Sequence, residues 1–350
     1  MAMHIQKNVD LKKYSSFHSG GKAQELIECT SADDTVEALA AFSEKPITNL
    51  GFGTNVLISD SGIDGVTLLH HHGDIQITDG LVVAEAGVWW DDLVTRALDA
   101  KLWGVELMSG IPSSVGGAIM GNIAAYGQQI SDTLDWVDII TTQSQKIERV
   151  PARDLSYGYR YCSLQARRDI TILRAAFKLS AKPTQDLEYS SALRIADEYD
   201  LDTHKLVDRR QIILEARKRA GSLYDPKIKK NAYTAGSFFK NPTVSSDIAQ
   251  HVMTFDESGK TAEALMQQNK IHGGDSFRVS AAHVLLAAGF KRGQTWGNVR
   301  LHPEHILKIE NHGNASSQEI YNVAQNLMST VKDKLNIVLE PEVQFIGVFT

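Results

Sequence analysis

Cysteine is nearly absent: Cys29 and Cys162 are the only two in 350 residues. Two cysteines cannot staple a chain of this length, and neither sits in a metal-type spacing, which excludes a disulfide scaffold and a zinc ribbon and favours a reducing compartment. Long apolar runs are missing too. No stretch reaches the roughly 18 unbroken apolar residues of a membrane span, and the opening "MAMHIQKNVDLKKYSS" lacks the apolar core of a signal peptide, so a cytoplasmic protein is expected. Neither sign of charge dominates. A formal net charge of -6 without a long acidic or basic run argues against nucleic-acid or membrane partners, and any basic site must be a pocket for a small anion. Internal repeats and low-complexity tracts are absent as well. What remains is a 43% hydrophobic composition, long enough for two or three packed units.

In "TSADDTVEALAAFSEK", Ser31 and Asp34 have capping-box spacing and Val36, Leu39, Ala40 and Phe42 lie mostly on one face, which predicts a helix over a small sheet. "ITNLG" and "DGVTLLHHH" supply strands of that sheet and flank the turn "GFGTN", giving an α/β lobe that ends near residue 72. "DIQITDGLVVAEAGV" predicts two strands across a Thr-Asp-Gly turn, followed by the helical "WWDDLVTRALDAKLWG". With strands in "LDWVDIITTQSQKIERV" and "DITILRAAFKLSA", residues 73–205 read as α+β. "DTHKLVDRRQIILEARKRAG" reads as a helix opening a third unit, 206–350. Within that unit, "VSAAHVLLAAGF" predicts a buried helix, "HILKIEN" a strand, and "NIVLEPEVQFIGVF" a strand pair or bent strand. "SSQEIYNVAQNLMSTVKDKL" predicts an amphipathic helix with a Ser316/Glu319 capping box and an inner stripe of Ile320, Val323, Leu327 and Val331.

Several stretches could carry chemistry. In "LGFGTNVLISD", Gly51 and Gly53 let the backbone approach a ligand while Thr54 and Asn55 offer donors to a pyrophosphate; a plain turn is the competing reading. The stretch is neither a P-loop nor a full dinucleotide fingerprint. "SGIPSSVGGAIMGNIAAYGQQ", with Gly110, Gly116, Gly117 and Gly121, fits either a backbone lying flush against a flat ring or phosphate, or a tightly packed strand-turn-helix. "YGYRYCS" puts Tyr159 beside Arg160, whose planar donors suit an oxyanion or carboxylate, or a surface ion pair. "LEPEV" places Glu340 and Glu342 on one strand face, as a reacting pair or as edge carboxylates. In "AGSFFKNP", Ser237 is a candidate proton donor if Phe238 and Phe239 exclude water, although serine is commonly a turn residue. Lys227, Lys240 with Asn241, and Lys291 stand beside turns and could meet an anion, or be solvated charges. "HHH" at 70–72 is set aside as a metal site because adjacent strand residues alternate faces.

Taken in order, "LGFGTNVL", "IPSSVGGA" with "NIAAYG", "YGYR", "GSFFKNP" and "LEPEV" resemble the UDP-N-acetylenolpyruvoylglucosamine reductases, the MurB flavoenzymes of peptidoglycan synthesis. The likeness covers nearly the whole chain. "LEYSSAL" looks like the loop of the longer type, with Tyr189 as its substrate-binding tyrosine. The resemblance implies an α+β, three-domain flavoenzyme of the vanillyl-alcohol-oxidase-like (PCMH-type) class: FAD-binding lobes over 1–72 and 73–205 and a C-terminal α+β substrate domain over 206–350. FAD would lie between the lobes and the third domain would close over the substrate. NADPH would reduce FAD, which would then pass a hydride to the enolpyruvyl double bond of UDP-N-acetylglucosamine enolpyruvate. Arg160 and a protonated Glu342, its pKa raised by burial, would stabilise the enolate-like state, and Ser237 would be the general acid.

Cofactor binding is implied for Gly51, Gly53, Thr54, Asn55, Val56, Leu57, Pro112, Ser114, Val115, Gly117, Asn122, Ile123 and Arg219, and substrate binding for Tyr126, Tyr159, Tyr189, Lys227, Asn241 and Lys291. A monomer is expected, with a small nucleotide-sugar as partner and neither nucleic acid nor membrane. Departures from the family pattern are Phe52 for a small or acidic residue, Gly121 for glutamine, Ala124 for glycine, His305 for a substrate-contacting glutamine and Gln344 for an arginine. Two other readings compete. One is a flavin oxidase of another sugar or alcohol, which would have no reason to carry Arg160, Ser237 and Glu342 together. The other is a non-catalytic nucleotide-sugar binder, which would have lost a reacting residue or FAD.

Overall fold

The computed structural model describes residues 3–167, 169–224, 233–256 and 277–350, so Lys227 lies outside the described residues. The chain forms two compact units: Met1–Val9, Ala23–Gly53 and Ile63–Ile228 in the first, Asp10–Lys22, Thr54–Gly62 and Lys229–Thr350 in the second. Among the described residues, no helix is long and apolar enough to cross a membrane.

The first unit is built on two sheets. In one, Lys22–Cys29 and Ile47–Leu50 run parallel to a central Ile63–His70, and Ile5–Asp10 lies on the far side of Lys22–Cys29. Ile63–His70 is buried at every position but one, which is why it reads as an apolar run rather than an alternation. The other sheet is antiparallel, in the order Ile147–Pro151, Leu134–Thr141, Ile170–Lys178, Leu81–Glu85, Ile75–Thr78. Asp79 and Gly80, at φ 48° and 82°, form the expected two-residue turn between its last two strands.

Helix Ala32–Ala41 starts on Ser31, which accepts the Asp34 N–H as the spacing predicts, while the Asp34 carboxylate reaches back to the Thr30 N–H. Its Ala38 and Leu39 share one core with Ile27, Val66 and Leu68 of the parallel sheet and Ile140 and Leu173 of the antiparallel sheet. Helix Trp90–Asp99 covers the antiparallel sheet, with the Trp90 ring edge-on to Phe177 at 5.8 Å and its indole N–H donated to the Met108 carbonyl. Helices Ser190–Tyr199 and Leu206–Arg219 bury Ile195, Ala196, Ile212 and Ile213 with Leu107. The long helix, which the sequence reading has opening the third domain, therefore packs within the first unit.

In the second unit, helix Ser317–Leu335 has both halves of its capping box, and Ile320, Val323, Leu327 and Val331 are all buried. That stripe packs in one core with Val299, Leu301 and Ile309 of a three-stranded sheet. "HILKIEN" contributes only Ile309–Asn311 as a strand, because His305 to Lys308 close a hydrogen-bonded turn first. The C-terminal strand is likewise short, Gln344–Ile346, pairing in parallel with Val56–Ile58.

Candidate active site

Strand Ile47–Leu50 delivers the chain to Gly51, where two glycine-rich loops of the first unit meet. A β-carbon on Gly51 would lie 2.6 Å from the Ser114 hydroxyl, so only glycine fits and the turn presents bare backbone there. Ser114 caps the short helix Val115–Met120 by accepting the Gly117 N–H. Added β-carbons at Gly116 and Gly117 would meet Ala86 and Ser113 at 3.1 and 3.0 Å. The two loops thus form a narrow cradle in which glycine is required by close packing against Ala86, Ser113 and Ser114. Phe52 points aside: its ring stacks on His71 at 4.5 Å and meets Trp89 edge-on at 4.6 Å. His71 bonds the Gly51 carbonyl, His70 bonds Asn49 and His72 bonds Glu28, so each ring of the histidine run has its own protein partner.

Hydrogen bonds rather than chain continuity link that cradle to Arg160. Asn122 is buried and its amide is engaged at both ends, donating to the Gly158 carbonyl and accepting the Ser131 N–H, so it ties the cradle to the hairpin Tyr157–Gly158/Tyr161–Cys162. Arg160 is at the tip of that hairpin with φ 55°, a left-handed conformation that costs a non-glycine residue on the order of 1–3 kcal/mol. Its guanidinium donates to the Ala124 carbonyl at 3.2 Å and lies over the Tyr159 ring. Tyr126, also left-handed at φ 49°, meets Tyr189 edge-on at 5.4 Å, and burial raises both phenol pKa values. Two of the three tyrosines expected at the substrate, Tyr126 and Tyr189, are thus adjacent.

Arg219 is elsewhere. It is exposed and held by Glu198 and Glu215 at 2.7 and 3.0 Å. Two residues earlier, half-buried Arg217 donates to the carbonyls of Gly110 and Ser222. Burial pulls its pKa down, Tyr126 and Asp91 oppose that, and the Arg160 charge adds to it. No carboxylate among the described residues forms an ion pair with Arg217. A cation in that setting, beside Arg160 and Tyr126, is suited to an anionic ligand. The sequence reading missed it because two arginines two apart on a helix point about 200° away from each other, and "ARKRAG" does not say which faces inward.

Ser237 and Glu342 belong to the second unit, where backbone pairing brings them together. Ser237 bridges Lys308, and the Phe238 N–H donates to the Leu307 carbonyl. On the other side Phe239 bridges Pro341, the Glu342 N–H donates to the Phe238 carbonyl, and the Lys240 N–H donates to the Glu340 carbonyl. Phe238 and Phe239 are both buried, with Phe238 near Phe17 and Phe345. They are core anchors on either side of the segment, each worth roughly 2–3 kcal/mol of burial. Within the same unit, the Asn55 side-chain amide donates to the Glu342 carbonyl, and the Asn55 carbonyl accepts the Gln344 N–H. Thr54 and Leu57 are buried beside it, and Val56 is half-buried. The Asn241 side-chain Oδ1 accepts the Ala281 N–H at the start of helix Ala281–Ala287, and Lys291 is exposed beyond that helix.

Residues 23–150 match the FAD binding domain family and residues 227–346 match the UDP-N-acetylenolpyruvoylglucosamine reductase C-terminal domain. The UDP-N-acetylenolpyruvoylglucosamine reductase of Corynebacterium diphtheriae is 32% identical over 349 residues, 97% of this chain and 90% of its own length. The one from Mycobacterium tuberculosis is 29% identical over 362 residues, 98% of this chain and 96% of its own. The crystal structure of the Thermus caldophilus reductase superposes with a TM-score of 0.67 over 99% of this chain and 100% of that one, at 23% identity, which speaks for the fold alone. The fold is of the α+β FAD-binding flavoenzyme class.

Proposed function

Because this chain belongs to the UDP-N-acetylenolpyruvoylglucosamine reductase family, a family of FAD-dependent oxidoreductases, we propose that it reduces UDP-N-acetylglucosamine enolpyruvate to UDP-N-acetylmuramate with NADPH, supplying peptidoglycan synthesis in the cytoplasm. When bound, FAD would supply the hydride-transfer chemistry between the nicotinamide and the alkene.

The chain's residues do the rest. The Gly51 turn and the Ser114 to Gly117 loop hold the dinucleotide, with Thr54, Asn55 and Val56 continuing the turn. When the far alkene carbon gains a hydride, negative charge develops on the carbon beside the carboxylate and spreads onto its oxygens. Arg160 holds those oxygens by charge, and Glu342, protonated, donates a hydrogen bond to them. Ser237 Oγ then gives its proton to the carbon. Arg217 joins Tyr126, Tyr159 and Tyr189 at the nucleotide sugar, with Asn241, Lys227 and Lys291 as further contacts.

The observation that carries this reading is the Phe238–Glu342 backbone pairing, which sets a proton donor and a carboxyl on neighbouring segments anchored in one core. It is tested by Ser237→Ala. Flavin reduction by NADPH should proceed at close to the parent rate, while reoxidation by the enolpyruvyl substrate slows by about 100-fold or more. Equal slowing of both halves would remove Ser237 as the proton donor.

A further inference from the structure

Gly110 is the hinge into the cofactor loop, with φ 72°. A β-carbon there would lie 2.9 Å from the methyls of Leu214 and Leu223, so the loop backbone closes directly onto helix Leu206–Arg219. Asp91, in the first turn of helix Trp90–Asp99, accepts the Gly110 N–H at 2.7 Å. Both of its oxygens are taken by Arg210, at 2.7 and 2.7 Å, in a two-pronged ion pair with side chains about four-fifths buried. Burial alone would raise the Asp91 carboxyl; the Arg210 fork and the Gly110 N–H outweigh it and hold the pKa below the usual range. Beyond Gly110 the loop is pinned by backbone to the same few residues: the Trp90 N–H to the Ser113 carbonyl, Val115 to Val88, and Gly116 to Ala86.

Helix Leu206–Arg219 has its own anchor without Arg210. Arg209, Ile212, Ile213 and Ala216 are its buried stripe, and Arg209 forms a fully buried pair with Glu106. Arg210 is therefore not the only anchor of the helix, and its pair with Asp91 also orients the carboxylate that accepts the Gly110 N–H. We propose that the Asp91–Arg210 pair is a positioning device for the flavin site, setting residues 110–117 in their binding geometry before FAD arrives. The proposal rests on the reading of that loop as the FAD cradle.

The test measures FAD affinity of the full-length protein after reversible flavin release, by flavin fluorescence, alongside hydrogen exchange across residues 107–117. Asp91→Ala should weaken FAD binding by about tenfold or more and speed exchange in that segment. Asp91→Asn, which keeps an oxygen for the Gly110 N–H, should fall between it and the parent. Arg210→Gln, at a partly exposed position, decides the matter if Asp91→Ala does not fold. It should weaken FAD by about threefold or more while the far-ultraviolet spectrum of the apoprotein is unchanged. FAD affinity within twofold of the parent in folded Arg210→Gln and Asp91→Ala overturns the positioning role and leaves the cofactor reading standing. A parent protein that takes up no FAD overturns the cofactor reading, and the proposal with it.

Discussion

Arg160 and Ser237 are held in opposite ways. Arg160 rides on the tip of a two-residue hairpin turn in a left-handed conformation, kept there by the short hairpin and the Asn122 and Ala124 contacts beneath it. Ser237 sits in extended backbone between two strand-like neighbours, immediately before two buried phenylalanines. The first group is placed by local strain and the second by core packing. Strain fixes a side chain at the expense of the fold's stability, whereas packing fixes one while stabilising the fold, so the two regions should respond differently to substitution.

The largest effect is expected where position and stability are the same thing. Phe238→Ala should destabilise the protein by about 3–5 kcal/mol in chemical denaturation, and turnover should fall with it because the backbone segment that pairs with Glu342 loses its anchor in the core. A loss below about 1 kcal/mol would show that Phe238 is not the anchor described. Next comes chemistry without stability. Glu342→Gln should keep FAD bound and the denaturation midpoint unchanged but lower turnover by about 100- to 1000-fold, since an amide N–H is a far weaker acid than a carboxyl O–H and donates a weaker hydrogen bond to the developing charge. Near-normal turnover would take Glu342 out of the mechanism.

A third effect separates the units by pH. Burial, with the His71 charge, lowers the His70 pKa to about 4, against an ordinary 6.5. The unfolded chain takes up this proton near 6.5 and the folded one only near 4, so the contribution of neutral His70 to the first unit's stability is fully present above pH 6.5 and up to about 3 kcal/mol of it is lost as pH falls to 4. His305 gives the second unit a similar slope, its pKa lowered to about 4 by burial and then by Lys308. His70→Gln should flatten the acid limb of the first unit's denaturation alone, and an unaltered limb would contradict the assignment. The smallest effect has the opposite sign. Arg160→Gly should abolish useful turnover yet raise stability by about 1 kcal/mol, because glycine accepts the positive φ. Destabilisation would mean that the turn is not strained.

These contrasts also explain what the sequence revealed. Helix Ser317–Leu335 was legible to the residue because a capping box and a four-residue stripe are both local signals. The Asp79-Gly80 turn was legible for the same reason. "HILKIEN" looked like a longer strand than it is because the His302 to Lys308 turn depends on hydrogen bonds that composition does not encode. Ser237 and Glu342 are 105 positions apart, and no spacing rule links them; only the family resemblance put them in one reaction. Arg209 at an inner position of its helix was a visible anomaly, a charge on an apolar stripe. The Asp91–Arg210 pair left no such mark, since charges at partly exposed positions look like any solvated surface.

The central claim is tested most directly by an anaerobic titration of the purified protein, following flavin absorbance as NADPH and then UDP-N-acetylglucosamine enolpyruvate are added. Bleaching by NADPH and stoichiometric recovery with the enolpyruvyl substrate is the predicted result. A flavin that bleaches and stays bleached in the presence of that substrate would contradict the assigned reaction.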